Sequence, residues 1–395
     1  MTDKLKIEVY SKGWCPYCKK AKAFLKSKNL DYIEYNIDNE EKFEEMKTRT
    51  GRKTVPQIII NGQCLGGYDD LIKLEKSGDL DNILGVKSED YSQKKWDLII
   101  IGAGPAGLNA VLYAARKGID LLLISKDIGG QVIDTNEIDN YLGKAQINGD
   151  DLIMDFWDHI HNYDITAVIG EEILKIESQN GEHILRTDSE KEYIARSVII
   201  ASGAEKRHLG MKQEYVLKGK GVHYCISCDG YLYAGKRAAV VGGGNSGLEA
   251  ALDLAKMDAE VILVEIMDYL MGDEVLREKV ASSDKIDVYT STSVKEIIGE
   301  DSLEAVILEN KNTGEEKRIE LDGLFIEIGL SAKSDFVPDI MERNKQKEII
   351  INDKNETNIE GLFAAGDVSN IIDKQIVISA AEGAKAALRV NQYLS

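Results

Sequence analysis

The chain opens on an alternating stretch, Lys4-Leu5-Lys6-Ile7-Glu8-Val9-Tyr10, with apolar side chains at every second position. Period two predicts a strand over residues 4–10. The lysine-rich stretch 16–28 reads as a helix, 32–37 as a second strand, 39–50 as a helix and 56–60 as a strand after Thr54-Val55-Pro56. A hairpin through Gly66-Gly67 and a helix from Asp69 complete a βαβαββα order, so residues 1–85 form one small α/β domain. Residues 86–95 are polar and aperiodic, and read as a linker.

A buried strand then begins at Trp96-Asp97-Leu98-Ile99-Ile100-Ile101 and runs straight into Gly102-Ala103-Gly104-Pro105-Ala106-Gly107. A helix over Leu108–Lys117 and a strand over Leu121–Ile124 follow. The same order returns with Arg237–Val241, Gly242-Gly243-Gly244-Asn245-Ser246-Gly247, a helix over 248–257 and a strand over Val261–Val264. Two nucleotide-binding βαβ units therefore stand in one chain. In each loop the first glycine permits the tight turn and the second admits a pyrophosphate. The third lets helix and strand pack closely, with the helix N-terminus facing the phosphates.

The units differ where an acidic side chain would hold adenosine ribose hydroxyls. The second unit has Glu265 there, with no arginine beside it to receive a 2′-phosphate, so it favours NADH over NADPH. The first unit has Ser125-Lys126, so its ribose contact differs or is missing. Phe363-Ala364-Ala365-Gly366-Asp367-Val368 reads as an apolar strand ending in Gly-Asp, followed by Lys374-Gln375 and a helix over 378–390. A strand-end Asp367 can bind a ribityl hydroxyl, which turns the first site toward flavin.

Composition narrows the class. A chain of 395 residues holds two or three domains, and 43% hydrophobic with 30% charged residues reads as a folded soluble protein. The net charge of -19 argues against nucleic acid or an anionic membrane surface as main partner. The opening strand leaves no room for a signal peptide, and the longest apolar run, near residue 98, is too short to span a bilayer. A cytoplasmic location is expected.

Five cysteines include Cys15-Pro16-Tyr17-Cys18, Cys225-Ile226-Ser227-Cys228 and a lone Cys64, a bystander in a hairpin turn. Such pairs favour redox or metal chemistry over structural staples. Cys15 would lie at a helix start beside Lys19 and Lys20, and both the helix dipole and the lysines favour thiolate. Pro16 suits the first helical position, Cys18 is the resolving thiol, and Thr54-Val55-Pro56 suits a cis-proline loop facing the dithiol. In the second pair one cysteine faces a flavin and the other an incoming disulfide, with Asp229 as acid–base group. A metal site would need four soft ligands close together. The two pairs stand in differently folded units, and His159, His161, His183, His208 and His223 show no ligand spacing beside them.

On these residues, 1–85 resembles a glutaredoxin, through Cys15–Cys18, Thr54-Val55-Pro56 and Gly66-Gly67-Tyr68-Asp69-Asp70. Residues 96–395 resemble the low-molecular-weight thioredoxin reductases, above all the reductase portion of the flavoprotein subunit of alkyl hydroperoxide reductase. Gly102–Gly107, Gly129-Gly130-Gln131, Cys225–Gly230, Gly242–Gly247 with Glu265, and Phe363–Val368 with Lys374-Gln375 carry that resemblance. It implies FAD contacts at Gly102, Gly104, Gly107, Gln131, Asn140, Asp367 and Gln375, and NAD contacts at Gly242, Gly244, Gly247 and Glu265. It further implies a redox disulfide at Cys225/Cys228. The glutaredoxin resemblance implies Cys15 as nucleophile, with Thr54, Val55, Gly67 and Asp69 near a thiol ligand such as glutathione.

The fold class implied is α/β, a thioredoxin-like domain followed by two Rossmann-like domains. Residues 96–212 and 330–395 would bind FAD, and 213–329 would bind the pyridine nucleotide and carry the second dithiol. The resemblance also implies a homodimer with a rotating nucleotide domain. Two departures stand out: Glu265-Ile266-Met267 replaces the arginine-rich stretch used for NADPH, and one glutaredoxin-like module replaces the paired thioredoxin-like modules of the hydroperoxide reductase flavoprotein. The activity expected is an NADH-preferring, FAD-dependent disulfide reductase. Electrons would pass from NADH to FAD, to Cys225/Cys228, to Cys15/Cys18 and to glutathione disulfide, a peroxiredoxin or a thioredoxin-like protein. The rivals are a reductase fed by ferredoxin and a redox sensor without turnover.

Overall fold

The computed structural model describes residues 5–13, 15–28, 30–85, 90–135, 138, 140–224 and 226–395, with the side chains of 134, 227 and 228 set aside. The chain forms two compact units, residues 1–204 with 332–395, and residues 205–331.

The first unit begins with β1 (Ile7–Ser11), α1 (Pro16–Ser27), β2 (Ile33–Asn36), α2 (Glu40–Thr50), β3 (Gln57–Ile60), β4 (Gln63–Gly66), α3 (Tyr68–Ser77) and α4 (Asp79–Leu84). Its sheet has the order β2-β1-β3-β4, with β1 parallel to β2 and antiparallel to β3. β1 is central and buried at every position, so even Glu8 lies inside. Arg49 answers it with two bonds, 3.0 and 2.8 Å, and holds the Glu8 carboxyl down at about 2. The hairpin turn is Asn61-Gly62, not Gly66-Gly67: both residues have positive φ, +49° and +85°, as a two-residue hairpin requires. Gly67 instead caps the N-terminus of α3. The short α4 follows the αL glycine Gly78, a stop that the periodic pattern does not mark.

The same unit continues with β5 (Lys95–Ala103), α5 (Pro105–Arg116), β6 (Leu121–Ile128), α6 (Gly149–Ile160), β7 (Thr166–Ile169), β8 (Ile173–Gln179), β9 (Glu182–Thr187) and β10 (Glu192–Ile200). A sheet of order β7-β6-β5-β10-β9-β8 results, parallel through β7, β6, β5 and β10. The apolar run of β5 is explained by its place. Leu98 and Ile100 enter one core and Ile99 and Ile101 another, on opposite faces of the sheet. α1 packs against α6 and the turn Gly130–Asp134. Lys19 meets Asp150 at 3.3 Å and Lys20 meets Asp127 at 2.8 Å, while Lys76 pairs with Asp188.

After β11 (Ala204–Lys206) the second unit contains α7 (Lys212–Val216), β12 (Val222–His223), α8 (Ile226–Asp229), β13 (Arg237–Val241), α9 (Asn245–Lys256), β14 (Glu260–Val264), α10 (Glu274–Ala281) and β15 (Ile286–Tyr289). β16 (Thr292–Ile298), β17 (Ala305–Asn310), β18 (Glu316–Glu320), β19 (Gly323–Ile326) and β20 (Leu330–Ala332) complete it. A parallel sheet of order β12-β19-β13-β14-β15 lies beside an antiparallel one, β16-β17-β18. The chain then returns to the first unit with β21 (Leu362–Ala364), parallel to β10, and α11 (Ile376–Leu394). The expected strand over 363–368 is thus the three-residue Leu362–Ala364, which keeps only Phe363 and Ala364 of that range. At Gly366, φ +75° turns the chain into a 3-10 turn, which lifts Asp367 out of the sheet.

α5 and α11 touch backbone to backbone: a Cβ on Gly383 would lie 1.8 Å from the Ala106 carbonyl oxygen. No side chain rearrangement relieves such a clash. Gly383→Ala should cost about 1–3 kcal/mol, read as a lower denaturation midpoint, whereas Gly13→Ala, which meets no atom within 4 Å, should leave it unchanged.

Candidate active site

The two glycine loops divide their labour as the chemistry of phosphate binding requires. Gly102 has φ +100° and Gly242 φ +126°, and a Cβ on either would strike a carbonyl of the neighbouring strand exit, at 2.4 Å (Ala201) and 2.1 Å (Glu327). A Cβ on Gly107 or Gly247 would lie 1.7 or 1.9 Å from the carbonyl oxygen of Gly102 or Gly242. These four glycines are there for backbone contact. The middle ones are not: a Cβ on Gly104 would meet its nearest atom at 4.0 Å and one on Gly244 nothing within 4 Å. Gly104 and Gly244 cap the N-termini of α5 and α9, so each open cradle faces free N–H groups at a helix start. Both loops fit a dinucleotide pyrophosphate.

Glu265 is buried at the end of β14 and its carboxylate is already engaged. Oε2 accepts the Gly243 N–H at 2.5 Å and Oε1 the Met267 N–H at 2.7 Å. The first unit solves the same problem with Ser125, whose Oγ accepts the Ala103 N–H at 3.0 Å and donates to the Asp127 carbonyl at 2.6 Å. Ser125 and Glu265 brace the middle of equivalent loops, one neutral and one carrying a charge beside the nucleotide cradle.

Around the first loop the chain ends converge. Gly129 N–H bonds the Ala103 carbonyl at 2.8 Å, bringing Gly130 and Gln131 alongside. Gln131 Nε2 lies 3.5 Å from Asp367 Oδ2, and Asn140 Nδ2 lies 3.3 Å from Gln375 Oε1. Gln375 is the N-cap of α11. Asp367 accepts Ser379 Oγ–H at 3.0 Å, and burial pushes its carboxyl up. Lys374 donates to the Asp367 and Ser369 carbonyls at 3.2 and 2.6 Å and pairs with Glu348 at 2.9 Å. Polar groups from three distant segments thus ring one glycine cradle, a donor set that suits the ribityl and pyrophosphate of FAD.

Cys225 lies outside the described residues, as does the side chain of Cys228, which stands on α8. Asp229 ends that helix and is 2.9 Å from His223 Nδ1. Nothing in the spacing of His223 along the chain marks this contact. Among the described residues no cluster of His, Cys, Asp and Glu could hold a metal ion, and no helix is long and apolar enough to cross a membrane.

In the N-terminal module Cys15 caps α1, and Cys15 and Cys18 are free thiols. Cys15 Sγ accepts the Cys18 N–H at 3.2 Å and lies 3.7 Å from the Val55 carbonyl oxygen. The Val55–Pro56 bond is cis, and Thr54 precedes it. Asp69 stands in the first turn of α3, and the Gly67 N–H is bonded to Asp70 at 2.9 Å rather than free. Hydrogen bonding from the Cys18 thiol, opposed by burial and helped by backbone N–H groups and Lys22, brings Cys15 down to about 7. Cys18 is driven the other way by the same bond and by burial. Lys19 and Lys20, expected to stabilise the thiolate, instead face Asp150 and Asp127, and Lys22 supplies the charge. Alkylation of the reduced chain by iodoacetamide, followed at the Cys15 peptide, should rise with a midpoint near 7. In Cys18→Ala the midpoint should move up toward the ordinary thiol value of about 8.5, because the largest stabilising bond is gone.

Comparison with known proteins agrees with both halves. The pyridine nucleotide-disulphide oxidoreductase family model matches residues 96–387, and the glutaredoxin model matches residues 7–65. The F subunit of alkyl hydroperoxide reductase in Staphylococcus aureus is 38% identical over 345 residues, spanning 86% of this chain and 67% of that protein. Its counterpart in Pseudomonas putida is 36% identical over 350 residues, 86% of this chain and 66% of that protein. Among solved structures, thioredoxin reductase of Lactococcus lactis superposes with a TM-score of 0.69 at 32% identity, covering 76% of this chain and 99% of that one. The thioredoxin reductase of T. acidophilum gives 0.67 at 34% identity, covering 75% and 98%. The fold class is therefore α/β, a glutaredoxin domain ahead of a thioredoxin reductase-like, Rossmann-type body, and FAD and a pyridine nucleotide are the cofactors that family uses. With two braced glycine cradles and a flavin-type donor ring in its body, this chain belongs to the pyridine nucleotide-disulphide oxidoreductase family and carries a glutaredoxin domain at its N-terminal end.

Proposed function

We propose that this chain is an NADH-preferring disulfide reductase that delivers electrons through its own glutaredoxin. The observation that carries the reading is Cys15: a helix-capping thiol near neutrality, 3.7 Å from the Val55 carbonyl and next to its partner Cys18. Such a thiol is an attacking group in waiting, on the same polypeptide as a reductase body. Residues 96–212 and 330–395 would hold FAD, through Gly102, Gly104, Gly107, Gln131, Asn140, Asp367 and Gln375. Residues 213–329 would hold NADH, through Gly242, Gly244, Gly247 and Glu265. When bound, the flavin couples a two-electron donor to a dithiol. Cys225/Cys228, with Asp229 managing the thiol proton, would then reduce the Cys15/Cys18 disulfide. Tethering makes that exchange effectively unimolecular, with local concentrations toward the millimolar range. Thr54, Val55, Gly67 and Asp69 would frame the outgoing thiol ligand.

The terminal acceptor is a small or protein disulfide: glutathione disulfide, a peroxiredoxin or a thioredoxin-like protein. The names of the hydroperoxide reductase relatives favour peroxide metabolism, while the single glutaredoxin module favours glutathione disulfide. A homodimer in the cytoplasm is the assembly and location we propose. Feeding by ferredoxin is the rival, and it requires that neither NADH nor NADPH bleach the flavin.

Two measurements test this. Cys15→Ser should retain NADH-dependent reduction of a small artificial disulfide yet lose glutathione disulfide reduction by 100-fold or more, on the order of general covalent-catalysis losses; full turnover would remove the N-terminal module as outlet. Separately, kcat/KM should favour NADH over NADPH by at least about tenfold, roughly 1.4 kcal/mol, and Glu265→Ala should narrow that ratio. A wild-type preference for NADPH would overturn the assignment.

A further inference from the structure

In the second unit Asp229, itself half-buried, heads a relay through two buried side chains. Asp229 Oδ2 is 2.9 Å from His223 Nδ1, and His223 Nε2 is 2.6 Å from the Tyr233 hydroxyl. His223 is 4% exposed. It lies on β12 opposite Phe325 of β19, and its ring stacks on that phenyl at 5.3 Å and 25°. Tyr233 stands edge-on to both rings, at 5.3 and 5.4 Å. An imidazole packed this way cannot turn to find other partners. Its orientation is set by the strand pairing and two aromatic walls.

The partners also select its proton. Burial, together with the charges of Asp229 and Asp322, pushes the Tyr233 phenol up to about 12, so its hydroxyl stays protonated at neutral pH. An ionised Asp229 can only accept. Neutral His223 therefore donates from Nδ1 to Asp229 and accepts at Nε2 from Tyr233. Protonated His223 donates from both nitrogens. The charged and titratable groups facing this relay are Asp229 at the end of α8, Tyr233 in the turn Gly230–Tyr233, Asp322 before β19, and Lys236, whose ammonium lies 5.6 Å from the Tyr233 ring.

We propose that His223 is a positioning residue for Asp229, and that it gives dithiol exchange at Cys225/Cys228 its dependence on pH. The inference rests on the reading of Asp229 as the acid–base group of that dithiol. In the exchange, the pair forms its own S–S bond and gives up two electrons and two protons. The acceptor's S–S bond breaks and takes both up. Each attack requires a thiol proton to leave and each departing thiolate requires one to arrive. Asp229 holds the proton between these moments. With Oδ2 fixed by His223, Oδ1 is the oxygen that receives it. A neutral His223 leaves Asp229 basic enough for that task. An imidazolium locks the carboxylate in its ionised form and makes it a poorer base, so exchange slows whenever His223 carries its second proton.

The test uses the flavin-loaded full chain, with two readouts from pH 5 to 8.5: bleaching of flavin absorbance by NADH, and turnover with an artificial aromatic disulfide. His223→Asn keeps an N–H for Asp229 but does not titrate. It should match wild type at pH 8 and lose the acid-side fall in disulfide turnover, with flavin bleaching unchanged. His223→Leu, with no donor, should lose about tenfold in turnover at every pH, again with bleaching intact. Tyr233→Phe removes one hydroxyl and keeps the ring, so it probes the same relay if a His223 variant loses flavin; it should shift the acid limb. Superposable pH profiles for wild type, His223→Asn and Tyr233→Phe would overturn the His223 assignment alone. A wild-type chain that bleaches its flavin but reduces no disulfide at any pH would overturn the proposed function as well.

Discussion

Everything in the body of this chain depends on one close approach repeated twice. The carbonyl of the first glycine of each loop lies where the third glycine's Cβ would be, 1.7 Å away in one loop and 1.9 Å in the other. Only glycine allows strand and helix to meet so tightly, and only that tightness aims the helix N-terminus over the strand end. In the first unit α11 closes on α5 from another side through Gly383, pinning the carbonyl of Ala106. The middle glycines face open space because their neighbours do not. Preorganised N–H groups beside an open cradle are the product of that packing, and they would need no reorganisation to receive a phosphate.

The comparison of Ser125 with Glu265 separates two roles that one position usually combines. Each accepts the N–H of the residue between the first two glycines, so bracing the loop is the task they share. A hydroxyl suffices for it. The carboxylate of Glu265, its two oxygens already bonded to Gly243 and Met267, adds a fixed negative charge in a buried setting where screening by solvent is weak. On the proposed NADH preference, discrimination against a 2′-phosphate would come from a charge that is held still by the loop it supports.

Much of this was legible in the chain. Periodicity located the strands, and the glycine spacing located both cradles. Where the pattern was misleading, local chemistry had the decisive say. Asn61-Gly62 takes the hairpin because both its residues accept positive φ, leaving Gly67 to cap a helix. Phe363–Val368 leaves the strand after Ala364 because Gly366 turns left-handed. Pairings between distant segments carried no signal at all. Gln131 with Asp367 and Asn140 with Gln375 are made by sheet order. The engagement of Lys19 and Lys20 by Asp150 and Asp127 comes from the packing of α1 against α6 and β6, which no local rule about helix starts could foresee.

That last rearrangement bears on how the N-terminal dithiol works. With two lysines occupied elsewhere, the bond between the thiols becomes the main source of asymmetry: it lowers Cys15 and raises Cys18. The asymmetry is self-cancelling. Two of the three influences that keep Cys18 protonated, the shared hydrogen bond and the negative charge on Cys15, exist only while Cys15 is a thiolate. Once Cys15 is bonded to another sulfur, both vanish, and burial alone opposes ionisation of Cys18. On the proposed reading of Cys15 as the attacking thiol, the second thiol would be restrained until the first has reacted and released afterwards, which is the order that a carrier must keep if mixed disulfides are to resolve rather than accumulate.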